Sequence, residues 1–521
     1  MFYRRPRAAH HRSNYWLIAS IVLIGCAGRA QSTCDSGDQC STTSGGHGNT
    51  GVSHSSGGTA SHTVEAGVSG GRMGGAGKGG AGGKGTAVTV DPRSDGQLPS
   101  VAGRPNGGAD NSGGGEPSAG GAASTGSGGA AALGGSAGGE ALATTGWCGT
   151  PYCVFGTTSA DGGLAVAVDV NGNIYVAGST SGALVGTNAG AADAFVRKLD
   201  VNGAVVWTRQ FGTSSDDWAT SIAVDSGGNV YVAGDTYGAL EGANLGSADS
   251  FLRKLDKSGT TLWTRQFGSK GPEQLGAVTL DASGNAYVAG STYPTGNQSS
   301  GDPYVRKFDA SGSAVWAKQF GGADEDEAET VAVDASGNVY VAGWTYDLIP
   351  ESKVGSWDAF VRKLDASGAP LWTRVFGTTD ADVLELSAVD SEGNLYVAGT
   401  SAGDALVRKY DPSGATLWTQ QVGTSGYEYG AGLGLDGSNN VYVVGSTDSA
   451  FSGSNAGKQD VFIRKLDKSG ATLWTKQIGT SSDEAARGAT ADASGTVFVV
   501  GAQGDLVNED AFLLRVAAQV P

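Results

Sequence analysis

The chain has 521 residues, 89 glycines and a formal charge of −17. Glycine at more than twice its usual share of about 7% argues that much of the length is not ordinary globular sequence, and the lack of a three-residue glycine period excludes collagen. The acidity argues against nucleic-acid binding, where affinity comes from cationic side chains that displace counterions.

The N-terminus reads as an address. Arg4, Arg5, Arg7 and Arg12 precede a mainly apolar run from Tyr15 to Ile24 that is too short to span a bilayer comfortably and predicts a secretory signal over residues 1–25. The following Leu23-Ile24-Gly25-Cys26 resembles the bacterial lipobox. That resemblance implies lipidation of Cys26, removal of the peptide before it and, because Ala27 stands where an acidic retention signal would, an outer-membrane site whose periplasmic or surface side stays open.

Residues 26–146 are expected to form a disordered Gly/Ser/Ala-rich tether. The first 146 residues hold 37 glycines, and no aromatic residue occurs between Trp16 and Trp147, so this stretch cannot bury enough apolar surface to offset its ordering entropy. As a random coil it would reach about 60 Å. Cys34 and Cys40, then Cys148 and Cys153, are local pairs whose even number in an exported chain suggests two disulfides.

Residues 147–521 are expected to fold. They carry ten of the eleven Trp, 24 Lys/Arg against 43 Asp/Glu, no Met and no His, the five histidines (His10, His11, His47, His54, His62) all lying earlier. Histidine-based nucleophile, general-base and zinc chemistry are therefore excluded from this part. One unit recurs seven times, marked by Gly172-Asn-Ile-Tyr-Val-Ala-Gly178 and its counterparts starting at Gly228, Gly284, Gly337, Gly393, Asn439 and Gly495. Each is followed by a second block, as in Asp193-Ala-Phe-Val-Arg-Lys198, and, in six units, a tryptophan (Trp207, Trp263, Trp316, Trp372, Trp418, Trp474).

Four short β-rich runs separated by Asp/Ser/Gly turns fill each unit, the size of a propeller blade. The last unit lacks its fourth run, whereas Cys153-Val-Phe-Gly156 precedes the first unit as a spare. The expected fold is all-β: a seven-bladed β-propeller of four-stranded blades, closed by an N-terminal strand so that no sheet edge stays open.

These repeats resemble the SBBP-type β-propeller family in their D-x-x-G-N-x-Y-V-A-G and D-x-F-x-R-K-x-D-x-x-G-x-x-x-W elements across 157–516. The resemblance implies an exported, non-enzymatic module and no particular ligand. A looser similarity to pyrroloquinoline-quinone propellers rests on the Gly259-to-Trp263 spacing, but those enzymes typically have eight blades.

A residue present in every blade serves what every blade needs. Asp169, Asp225, Asp281, Asp334, Asp390, Asp436 and Asp492 are read as turn residues, the repeat Trp and Tyr as packing, and Arg197, Arg253, Arg306, Arg362, Arg408, Arg464 and Arg515 as pairing with carboxylates or carbonyls between blades, an anion-binding ring being the alternative. Site candidates are instead the irregular positions on the long loops at one end. They comprise the aromatics Trp218, Tyr237, Tyr293, Trp344, Tyr346, Trp357, Tyr427, Tyr429 and Phe451 and the carboxylates Asp216, Asp217, Asp324, Glu325, Asp326, Glu327, Asp380, Asp382, Asp483 and Glu484. The loop cut to Thr400-Ser-Ala-Gly-Asp404 predicts a notch in the rim.

Three functions fit. The first is a monomeric binding or scaffold module of the cell envelope that engages a protein or glycan through the long-loop face, the membrane being touched only through the lipid. A purely structural surface protein is the plainer reading. The third is a carboxylate-dependent glycoside hydrolase or lyase, drawing on Asp324 to Glu329 and Asp380 to Glu385. No organic cofactor is expected; calcium is left open, with Asp324 and Asp326 as candidate ligands.

Overall fold

The computed structural model describes residues 152–293, 301–348, 354–424, 426–451, 454–505 and 508–517. The signal and tether regions, Cys26, Cys34, Cys40 and Cys148 lie outside the described residues. Those described form seven four-stranded antiparallel sheets, with no helix among them.

The first blade shows the common plan. Its strands Asp161–Val168, Ile174–Thr180, Asp193–Leu199 and Val205–Phe211 pair in sequence order. The second strand of each blade is largely buried, Val230–Thr236 along its whole length, as β-branched and aromatic residues sandwiched between neighbouring sheets should be. The first strands are innermost. Each packs beside that of the next blade, and Asp161–Val168 packs beside Glu484–Ala491 of the seventh, so the ring closes.

Closure uses the chain start as expected. The seventh sheet is completed by Tyr152–Phe155, antiparallel to Asn508–Val516 with Tyr152 opposite Leu514. Tyr152 is buried; its ring meets Phe512 edge-on at 5.0 Å and its hydroxyl donates to the Ile478 carbonyl of blade six at 2.8 Å. Cys153 is disulfide-bonded.

Each innermost strand carries a one-residue bulge at the same place, between Ala219 and Ser221 in blade two and between Leu384 and Leu386 in blade five. There the second strand comes so close that a Cβ on Gly234 would overlap the Trp218 carbonyl oxygen, which is why glycine ends every Tyr-Val-Ala/Val-Gly element. Gly234→Ala is expected to destabilise the chain by about 1–3 kcal/mol, the usual cost of forced overpacking, read as a lowered denaturation midpoint.

Blades lock through the repeat tryptophans. Trp207 Nε1 donates to the Lys257 carbonyl of the next blade at 3.2 Å, and Arg209 Nε to the Gly259 carbonyl at 2.9 Å. Gly259 has φ +81°, a conformation that favours glycine, and a Cβ there would sit 3.0 Å from the Trp207 ring.

The turn aspartates do what the repetition implied. Asp281 Oδ1 accepts the Ser283 and Asn285 amides, and Oδ2 accepts Asn285 Nδ2 and the Tyr287 hydroxyl. The ion pairs to these turns come from the lysines, as in Lys409–Asp390 at 3.5 Å. The expectation that the repeat arginines pair with carboxylates or carbonyls between blades is corrected here: Nε of Arg197, Arg253, Arg362, Arg408 and Arg464 donates to an outer-strand threonine of the same blade. Their guanidinium groups lie over phenylalanine rings, Arg253 over Phe211 at 3.9 Å, a cation–π contact.

Candidate functional site

The turns after the first and third strands share one end of the ring, so the loops after the second and fourth strands share the other. At that end the loop of blade five shrinks to Ala402 and Gly403, a two-residue hairpin with both φ angles positive, the geometry that matches strand twist. Neighbouring blades keep loops of about a dozen residues, so the predicted notch is present. Beside the hairpin stands Tyr427, 60% exposed, its ring the nearest group to Gly403. Its amide donates to Asp448 Oδ1 at 3.0 Å.

The other aromatic candidates divide by burial. Tyr346, on the blade-four side of the notch, is exposed, whereas Trp218, Tyr237, Trp357 and Tyr429 are half-buried. Trp218 meets Tyr237 edge-on at 5.7 Å and Trp344 lies tilted on Trp357 at 5.0 Å. Trp344 and Tyr293 are buried, with the Tyr293 hydroxyl donating to Glu327 Oε1. These two brace the face without presenting a ring to solvent. Phe451 stacks on Phe462 at 5.0 Å under Arg464. It fills the place that phenylalanines occupy elsewhere and Val422 leaves open. Sequence reasoning missed Val185, Leu245 and Val354, exposed aliphatic side chains of the same loops. Their signal was a large apolar residue directly before a glycine in each of these loops.

The carboxylates also divide. Asp324 and Asp380 are exposed. Asp217, Asp326, Asp382 and Glu484 instead open an innermost strand and are buried, as are Asp161, Glu273 and Glu428 in the other blades. Each caps the turn before its strand: Thr378 donates its amide to Asp382 Oδ2 at 2.6 Å, and Gly322 does the same to Asp326 Oδ2. Asp326 Oδ1 accepts the Thr345 hydroxyl and the Tyr346 amide, so both oxygens of this candidate calcium ligand are engaged. Among the described residues no group of three or more His, Cys, Asp or Glu is arranged to hold a metal ion.

Every junction places a second carboxylate, from the start of the third strand of the preceding blade, near that cap. At Gly212 and Gly268 the glycine is flanked by Asp193 with Asp217 and by Asp249 with Glu273. Burial, with the neighbouring carboxylate adding to it, raises the acids of Asp217, Glu273 and Glu484 above the usual range. On the innermost strands Glu385 occupies the blade-five bulge, and burial alone pushes it up to about 7. At the equivalent place in blade seven Arg487 pairs with Glu509 at 2.6 Å.

Ring closure, blade count and repeated locking contacts define the class: a seven-bladed β-propeller whose irregular loops gather at one end. More particularly, its repeats are SBBP-type, since the family model described as a beta-propeller repeat matches residues 206–240, 315–350 and 417–451. A curated relative is the regulatory protein FlaEY of Caulobacter vibrioides, 28% identical over 235 residues, which cover 40% of this chain and 23% of that protein. The match thus spans less than a quarter of the relative. Solved structures with similar chains include a glucose dehydrogenase (TM-score 0.36, 13% identity, 57% of this chain and 96% of that one). A second is a mutant puromycin hydrolase in complex with PGG (TM-score 0.44, 14% identity, 69% of this chain and 52% of that one).

Proposed function

We propose that the protein is a non-enzymatic binding or scaffold module of the bacterial cell envelope, tethered through a lipid on Cys26, that engages a protein or glycan partner at the notched end of the propeller. The repeat family and the likeness to part of a regulatory protein support the binding or scaffold role. The observation that carries the choice of face is Tyr427: a tyrosine 60% exposed beside the two-residue hairpin of blade five. Tyrosine gives contact area together with a polar handle, and a rim gap gives a partner access to it. Tyr346 and Val354 of the blade-four loop are also exposed, with exposed Asp324 and Asp380 supplying hydrogen-bond acceptors nearby in the ring order.

The test is binding of the purified full chain to envelope fractions and to a glycan array. Tyr346→Ala combined with Tyr427→Ala is expected to weaken capture more than tenfold with an unchanged melting temperature, and Cys26→Ser is expected to release the chain from membranes. Undiminished capture by the double variant would sink the assignment of this face.

A further inference from the structure

Five blades satisfy the repeat arginine in one way, and blade three does not. Arg306 stands opposite Ala317 in the strand register, where the other blades supply Thr208, Thr264, Thr373, Thr419 or Thr475 as acceptor. Arg306 Nε is consequently buried without a hydrogen-bond partner. Loss of the threonine coincides with a cavity of about 400 Å³ at the long-loop end of this blade, lined among others by Glu273, Arg306, Ala317 and Lys318. That volume falls within the range of small-molecule sites.

The cavity holds a second unmet group of opposite charge. Glu273 is 4% exposed; its carboxylate takes hydrogen bonds from the Ser269 backbone and side chain and, through Oε1 at 2.9 Å, from the Thr292 hydroxyl, and Oε2 is left without a close donor. Behind it, across Gly268, Asp249 Oδ1 is also buried and unpartnered. Leaving buried polar groups without a full set of partners is costly; the half-buried Arg306 guanidinium lies over Phe267 at 4.7 Å and Tyr304 at 5.5 Å and makes no ion pair with Glu273 among those of the described residues.

We infer that this cavity is a binding site for a small zwitterion of the α-amino acid class, its carboxylate received by Arg306 with Lys318 alongside and its ammonium by Glu273. A simple anion would meet only the first need and a simple cation only the second. The cavity shares the long-loop end with the notch but sits on blade three, two blades from the Ala402-Gly403 hairpin, so its ligand needs no partner bound at the notch.

The test is calorimetric titration and thermal melting of the full chain with L-alanine, with acetate and ethylammonium as probes that each carry one of the two charges. L-alanine is expected to bind saturably and raise the melting temperature, with both single-charge probes at least tenfold weaker. Ala317→Thr restores the hydrogen bond that five blades already have, so the fold should hold or gain stability while L-alanine binding falls at least tenfold. Glu273→Gln should weaken L-alanine more than acetate. No saturable L-alanine binding, acetate binding as tightly as L-alanine, or undiminished binding by the folded Ala317→Thr variant would each overturn the proposal.

Discussion

A chain beginning at Thr157 is expected not to form the closed ring, whereas one beginning at Trp147 is expected to fold. The truncation removes the outer strand of blade seven, Tyr152–Phe155, and so exposes the ladder edge of Asn508–Val516. It also uncovers Phe512 and the buried cluster around it, which includes Val497, Val499 and Leu514. An open edge beside exposed apolar surface is a template for association, so the product should aggregate or melt without cooperativity. Circular dichroism and size-exclusion chromatography of the two truncations decide the matter; a soluble, cooperatively melting 157–521 chain would contradict it. Tyr152→Ala tests the same latch more gently. Losing a buried aromatic ring typically costs about 3–5 kcal/mol, and here the hydrogen bond to the Ile478 carbonyl is lost too.

Asp235→Ser is expected to stabilise the protein above neutral pH and to change little in mild acid. Asp235 is buried and accepts the Leu275 amide at 2.9 Å and the Ser250 hydroxyl at 3.1 Å, with the Tyr304 hydroxyl donating to Ser250 in turn. Burial pushes its acid up to about 8, above the usual carboxylate range. The unfolded chain therefore gives up this proton first as pH rises, and stability is lost progressively from about pH 4 to about pH 8. A rise of that size corresponds to on the order of 5 kcal/mol at most. Serine keeps the backbone acceptor, because Ser291 and Ser446 already receive the Ala328 and Ala486 amides at the equivalent places in blades three and six. The turn aspartates Asp169, Asp281, Asp390 and Asp436 act in the opposite sense. Despite partial burial, hydrogen bonds from their turns hold them below the ordinary range, so their stabilisation is lost as pH falls through the acid region. The two sets together place maximum stability in mild acid. Denaturant midpoints of wild type and Asp235→Ser across pH should diverge upward from about pH 5; parallel curves would refute the role of Asp235.

The blade plan was legible in the sequence because it is local. Four β-rich runs, the first and third ended by Asp-led turns with glycine or asparagine where φ is positive, recur in register, and the missing last strand and spare first strand identify the latch. The hairpin at Ala402-Gly403 could be read from length alone. Burial on the long-loop face could not. Tyr293 and Tyr427 look alike as irregular tyrosines, yet one donates into Glu327 of the next blade and the other lies open beside a loop too short to cover it. The repeat arginines were similarly misread, since their Thr and Phe neighbours come from strand register and from the ring order rather than from sequence adjacency.

By itself, then, the sequence determined the number of blades, the turns and the closing strand, since these follow from short-range pattern and a count of strands. The tertiary structure decided which side chains face water and which charges lack a partner. Buried carboxylate caps, the exposed Tyr427 and the unpaired Arg306 depend on contacts between residues far apart in the chain, and desolvation is set by those neighbours.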